Sequence, residues 1–114
     1  MSLERIFKAL MDLGLSETDS RVYIKITLKG PMYAKTIIED LNISKQQFYP
    51  ILKKLQNKKL IKITATRASV ISALPFEDAL EMLINFKMEK SKKILENKKE
   101  LLSYWKAVNW NNGT

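Results

Sequence analysis

The chain has no cysteine and no histidine in its 114 residues. Their absence excludes disulfides, cysteine nucleophiles, histidine base chemistry, and zinc or haem sites built from those ligands. Glycine is scarce, at three residues, so no Gly-rich phosphate loop can be assembled. Acidic pairs such as Glu77-Asp78 stand where a helix opens and favour its dipole, a sufficient structural reason for them. No enzyme activity, cofactor or metal is expected. Long apolar runs and a signal-peptide pattern are missing too, so the expected protein is soluble and cytoplasmic, with no membrane partner.

Acidic residues are in short supply, and unevenly so. Twelve Asp and Glu face twenty Lys and Arg, for a net charge of +8. Residues 1–30 and 75–114 are nearly balanced, whereas residues 31–74 hold eight basic residues against two acidic ones. Between Lys45 and Arg67 there are seven basic residues and no acid. A solvated helical face usually mixes its signs. An acid-free stretch of this kind points to a polyanionic partner.

What remains is a folding chain, 46% apolar and long enough for one domain. Leu3, Ile6, Phe7, Leu10 and Met11 have the spacing of one helix face, ended by Gly14. Ser16 with Asp19 caps a second helix, which carries Val22, Tyr23, Ile26 and Leu28 inward and stops at Gly30-Pro31. A short third helix runs from Ala34 to Leu41, with Ile37, Ile38 and Leu41 facing inward. Asn42 suits the left-handed turn that follows. Ser44 opens a fourth helix, with Gln47 completing a Ser-x-x-Gln capping box and Phe48, Ile51, Leu52 and Leu55 facing inward. After Leu60 the period changes to two, giving strands at Ile61–Thr64 and Ser69–Leu74 joined by a short polar link. Pro75 then starts a helix that nothing breaks until Val108, about 50 Å long at 1.5 Å per residue.

The expected fold is mainly α with a small β-hairpin: a winged helix-turn-helix at 1–75, a long C-terminal helix at 76–108 and a frayed tail at 109–114. The helix at 44–57 then lies in a DNA major groove, and the wing at 61–74 lies near the minor groove. Lys45, Gln46, Gln47, Tyr49, Lys53 and Lys54 are turned outward by burial of Phe48, Leu52 and Leu55. Glutamine can bond N6 and N7 of adenine, and lysine can reach guanine O6 and N7. Ser44 and the amides around it can hold a phosphate. Lys53 and Lys54, with Lys58 and Lys59, are assigned to phosphates, and Lys35 to the backbone beside them. Arg67, at the hairpin tip, is assigned to the minor groove. The ring of Tyr49 can pack on a neighbouring helix as readily as it can stack on DNA. Pro50 removes an amide donor from the fourth helix. Either the helix kinks there, the favoured reading because the apolar spacing runs through, or its regular part begins at Tyr49-Pro50.

The stretch Leu13-Gly14-Leu15-Ser16-Glu17-Thr18-Asp19-Ser20-Arg21-Val22-Tyr23 resembles the opening signature of the TrmB-like winged-helix transcription regulators of archaea. The likeness continues through Gly30-Pro31, Ser44 to Leu55, Lys58-Lys59-Leu60-Ile61 and Ala73 to Leu80, covering about residues 3–85. It implies sequence-specific binding of double-stranded DNA by a homodimer. Larger members carry a C-terminal sugar-binding domain. Here the chain stops after one long helix, so sugar sensing is not expected, and no effector ligand is assigned.

Leu80, Ile84, Met88, Ile94, Leu95, Leu101, Leu102 and Trp105 line one side of the C-terminal helix. A stripe longer than one small domain can cover suits a two-helix seam between copies. The competing function is a winged helix used for protein contact, as a module or subunit of the transcription machinery without DNA binding of its own.

Overall fold

The structure is a computed structural model that describes residues 3–64 and 68–112, the last three of these as backbone alone. Two compact units divide it, Met1–Glu81 and Met82–Thr114.

In the first unit, α1 (Leu3–Asp12) leads into α2 (Glu17–Lys29) through a tight turn. At that turn the Leu15 amide bonds the Leu10 carbonyl and the Gly14 amide bonds the Met11 carbonyl. This is the Schellman closure, which brings the apolar residues at its two ends together. Leu10 and Leu15 are both buried accordingly. Of the apolar face of α1 only Leu10 is fully buried, and Leu3 and Met11 are exposed. The expected capping box opens α2: the Asp19 amide donates to Ser16 Oγ at 3.0 Å and the Ser16 amide to Asp19 Oδ2 at 2.9 Å. Ser20, fully buried, donates to the Ser16 carbonyl at 2.9 Å. Val22, Tyr23 and Ile26 enter the core as expected, but Leu28 does not and is 68% exposed. Two residues past the buried Ile26, it stands about 200° further around α2, on the opposite face.

Gly30 ends α2 at φ 84°, ψ −170°, a conformation open almost solely to glycine. Pro31 follows, and Met32–Tyr33 form a two-residue strand, β1. The hairpin read from the sequence, β2 (Ile61–Thr64) and β3 (Val70–Ala73), is thus part of a three-stranded antiparallel sheet ordered β1-β3-β2. Helix α3 (Ala34–Leu41) buries Ile37, while Ile38 and Leu41 are half-buried. Asn42 adopts the expected left-handed conformation, φ 52°, ψ 49°, before α4 (Lys45–Asn57) begins. Phe48, Leu52 and Leu55 of α4 are buried and Ile51 is half-buried.

Tyr23 ties the unit together. Its hydroxyl donates to the carbonyl of Leu74, and the Leu74 amide donates to Leu60 at 2.9 Å. Burial holds the phenol above its ordinary pKa, so its neutral form is the one the fold favours.

The C-terminal region is two helices rather than one. Helix α5 (Phe76–Glu96) crosses into the second unit and α6 (Lys98–Asn112) completes it. The i→i−4 ladder holds at Asn97 to Lys93 and resumes at Leu101 to Asn97. Between them it is interrupted. Asparagine competes with the helix through its own side chain, and a break there needs no proline. Helix α6 includes residues 109–112 of the expected tail, and residues 113–114 lie outside the described residues. Ala79 and Leu83 are the buried residues of α5, whereas Leu80 is half-buried and Ile84 is 40% exposed. No helix among the described residues is long and apolar enough to cross a membrane.

Candidate nucleic-acid interface

The helix-turn-helix formed by α3, the Asn42 turn and α4 sets which side chains α4 presents. Its start is fixed at Ser44: the Gln47 amide donates to Ser44 Oγ at 3.1 Å, and the Ser44 amide donates to Gln47 Oε1 at 3.2 Å. Such a box stabilises a helix start by about 1 kcal/mol. The Ser44 hydroxyl also lies 3.4 Å from Gln47 Oε1. Gln47, expected both to cap and to face DNA, therefore has its carbonyl oxygen committed to the cap. Adenine recognition would need that oxygen free. The amides of Lys45 and Gln46 have no intrahelical acceptor, as first-turn amides never do, and they sit beside exposed side chains.

Helix α4 runs unbroken through Pro50, which overturns the reading in which the regular helix starts at Tyr49-Pro50. Proline has no hydrogen to give the Gln46 carbonyl, so the i→i−4 bond is missing at that point. Gln46, Pro50, Lys53 and Asn57 are spaced by four, three and four residues and are all exposed. That spacing makes them one ridge along the helix, opposite the buried Phe48, Leu52 and Leu55. Asn57 was not singled out from the sequence; its share in the ridge emerges from helical spacing combined with burial. Lys45 and Tyr49 flank this ridge and are exposed. The Tyr49 ring packs edge-on against Phe48, centroids 5.4 Å apart and planes at 71°, yet is 51% exposed.

Lys54 departs from the expectation. Instead of standing free for a phosphate, its ammonium bonds Asp19 Oδ2, and Asp19 is 2% exposed. The acid comes from α2, 35 residues away in sequence, so an acid-free run along α4 did not exclude it. Burial alone would raise the Asp19 pKa. The bonds from Lys54 and the Ser16 amide and the charge of Lys54 outweigh burial, and the carboxyl lies below its ordinary 3.8. A depressed carboxyl contributes stability that is present above the unfolded-state value and lost as pH falls through the folded one. Wild type should thus be more stable than Asp19→Asn near neutral pH, with the gap closing as pH falls below about 4. Thermal unfolding of both proteins across pH checks this, and a gap that does not change with pH contradicts it.

At the C-terminal end of α4 the Leu60 amide bonds Leu55 and the Lys59 amide bonds Gln56, both at 2.9 Å. Lys59 takes the left-handed position, at φ 64°. Glycine is the usual occupant, and a side chain there costs about 1–2 kcal/mol. Lys59 and Lys62 are exposed, Lys58 is half-buried, and Lys35 is exposed at the start of α3. Arg67 lies outside the described residues.

Residues 10–77 match the family model described as "Sugar-specific transcriptional regulator TrmB". The chain belongs to the TrmB family. The match runs from the last turn of α1 to the first turn of α5, so it includes the whole helix-turn-helix and sheet. Much of the TrmB signature has a structural reason: Leu15 closes a turn, Ser16 and Asp19 form a cap, Ser20 bonds beneath it, and Tyr23 anchors the exit of β3. Comparison with curated proteins finds no sequence match. Among solved structures, the TrmB chain is similar to the transcriptional regulator Tm0710 from Thermotoga maritima, at 22% identity and TM-score 0.57, covering 93% of this chain and 82% of that one. It is also similar to the YusO protein of Bacillus subtilis, at 14% identity and TM-score 0.56, covering 95% and 82%. A third is reduced AbfR, described as bound to DNA, at 18% identity and TM-score 0.55, covering 90% and 87%; AbfR comes from Staphylococcus epidermidis. At these identities the likeness is one of fold, the winged helix of transcription regulators.

Proposed function

We propose that this TrmB-family chain is a sequence-specific regulator that binds double-stranded DNA as a homodimer, with α4 in the major groove and the β2–β3 wing beside the minor groove. The observation that carries this reading is the exposed, acid-free ridge of α4, which starts from a capped helix end with two unbonded amides. Recognition helices put their first residues nearest the base edges. Gln46 is therefore the base reader, since its amide is free of the cap that holds Gln47. Lys45 and Lys53 grip phosphates, together with Lys35, Lys59 and the start of α4 at Ser44. Tyr49 lies on the flank of the same surface. The fold shared with AbfR, a protein described as bound to DNA, supports DNA as the partner.

The dimer is supported by apolar surface on the second unit. Met88, Ile94, Leu95, Leu101, Leu102 and Trp105 are each exposed by 47% or more. Helices with an apolar stripe left in water gain by pairing, and two-fold symmetry is the usual route for small DNA-binding domains. With α5 and α6 as separate helices, the proposed seam would consist of two shorter segments instead of one long coil.

Selection of bound fragments from random duplex DNA tests the proposal. The expected product is an inverted repeat with half-sites one helical turn, or a multiple of it, apart. With that duplex, Gln46→Ala should reduce discrimination at one base position by about 1–3 kcal/mol and leave non-specific binding in place. Lys53→Ala should weaken all duplexes alike. Failure to enrich any sequence contradicts the proposal, and so do equal effects of the two variants.

A further inference from the structure

The ion pair between α2 and α4 has a function that its place in the fold suggests. Asp19 cannot move freely: its own amide and its carboxylate are both engaged with Ser16, and its side chain is almost wholly buried. Lys54 is the opposite, a long flexible side chain that is 43% exposed. It lies on α4 next to Lys53, at the edge of the ridge. Left alone, its ammonium would be one more mobile cation within reach of a phosphate. Bound to a fixed, buried carboxylate, it is neutralised and its direction is set.

We propose that Asp19 is a positioning residue for DNA reading: by holding Lys54 it keeps one cation of α4 off the DNA backbone. The inference rests on the DNA-binding reading above. Phosphate contacts raise affinity for every sequence alike, whereas base contacts separate sequences. A lysine withheld from the backbone lowers non-specific affinity and leaves the base contacts of Gln46 a larger share of the total.

Salt dependence separates this from a purely structural role, because its slope counts phosphates neutralised and is indifferent to stability. In a protein with Lys54 withheld, Lys54→Gln should leave the slope of log affinity against log salt unchanged. Asp19→Asn, which preserves the shape and the cap acceptor, should release Lys54 and steepen the slope by about 0.9 for each lysine freed. Binding to unrelated duplexes should strengthen, and preference for the selected site should fall. Asp19→Asn/Lys54→Gln should return the slope to the wild-type value. Should Asp19→Asn fail to fold, Lys54→Gln alone decides: a slope shallower by about 0.9 per protomer makes Lys54 a phosphate anchor and overturns the inference. An unchanged slope in a folded Asp19→Asn variant overturns it as well. Wild type that binds no duplex at low salt removes the DNA-binding reading itself, a different failure from either of these.

Discussion

Raising salt from about 50 to 200 mM is expected to weaken duplex binding by about 10³-fold or more. Each phosphate that a lysine neutralises releases condensed counterions, so affinity falls with salt in proportion to the number of such contacts. Lys35, Lys45, Lys53, Lys59 and Lys62 are exposed. Even with some of them idle, the proposed homodimer would reach the range of about six to ten contacts that gives losses of this size. Debye screening of a simple exposed pair would change far less over the same interval. Fluorescence anisotropy with a labelled duplex, titrated at several salt concentrations, measures the slope. A module that binds another protein through α4 would show no duplex affinity at the lowest salt.

Pro50→Ala is expected to stabilise the protein by about 2–3 kcal/mol. Pro50 is six residues past the N-cap, in the helix interior, and its side chain is exposed, so no core packing is lost with it. Alanine supplies the missing amide to the Gln46 carbonyl and removes the clash of the ring with the preceding turn. At one fixed protein concentration the midpoint of thermal unfolding should rise by roughly 10 °C or more. An unchanged or lowered midpoint would mean that the surroundings of α4 have adapted to the proline.

Much of the fold was legible in the sequence because its signals are local and strong. Two capping boxes, at Ser16 and Ser44, and a left-handed turn at Asn42 are each written within four residues, and each is found. The apolar spacing of α4 named its buried side correctly, and with it the side that faces water. The misses have a common cause, which is that they depend on distant partners or on marginal residues. Strand β1 has two residues, too few to show a period, and exists only because β3 is there to pair with it. The break at Asn97 interrupts a run whose side chains keep a helical spacing on both sides, so periodicity could not reveal it. The pairing of Lys54 with Asp19 joins residues 35 apart that only the packing of α2 on α4 brings together. Gln47 was legible as a cap and as a reader, and the geometry gives its oxygen to the cap.

The central claim is that the ridge of α4 enters the major groove. The absence of native cysteine makes it directly testable, because a single introduced cysteine can carry a DNA-cleaving iron chelate without side labelling. Gln46→Cys places the chelate on the ridge, and Leu28→Cys places it at an exposed position on α2 as a control. With the selected duplex at low salt, the label at residue 46 should cut at two positions about one helical turn apart, with the pattern of attack from the major groove. The label at residue 28 should cut weakly and without that pattern. Equal cutting from both positions, or none from residue 46 on a duplex that is demonstrably bound, would contradict the account.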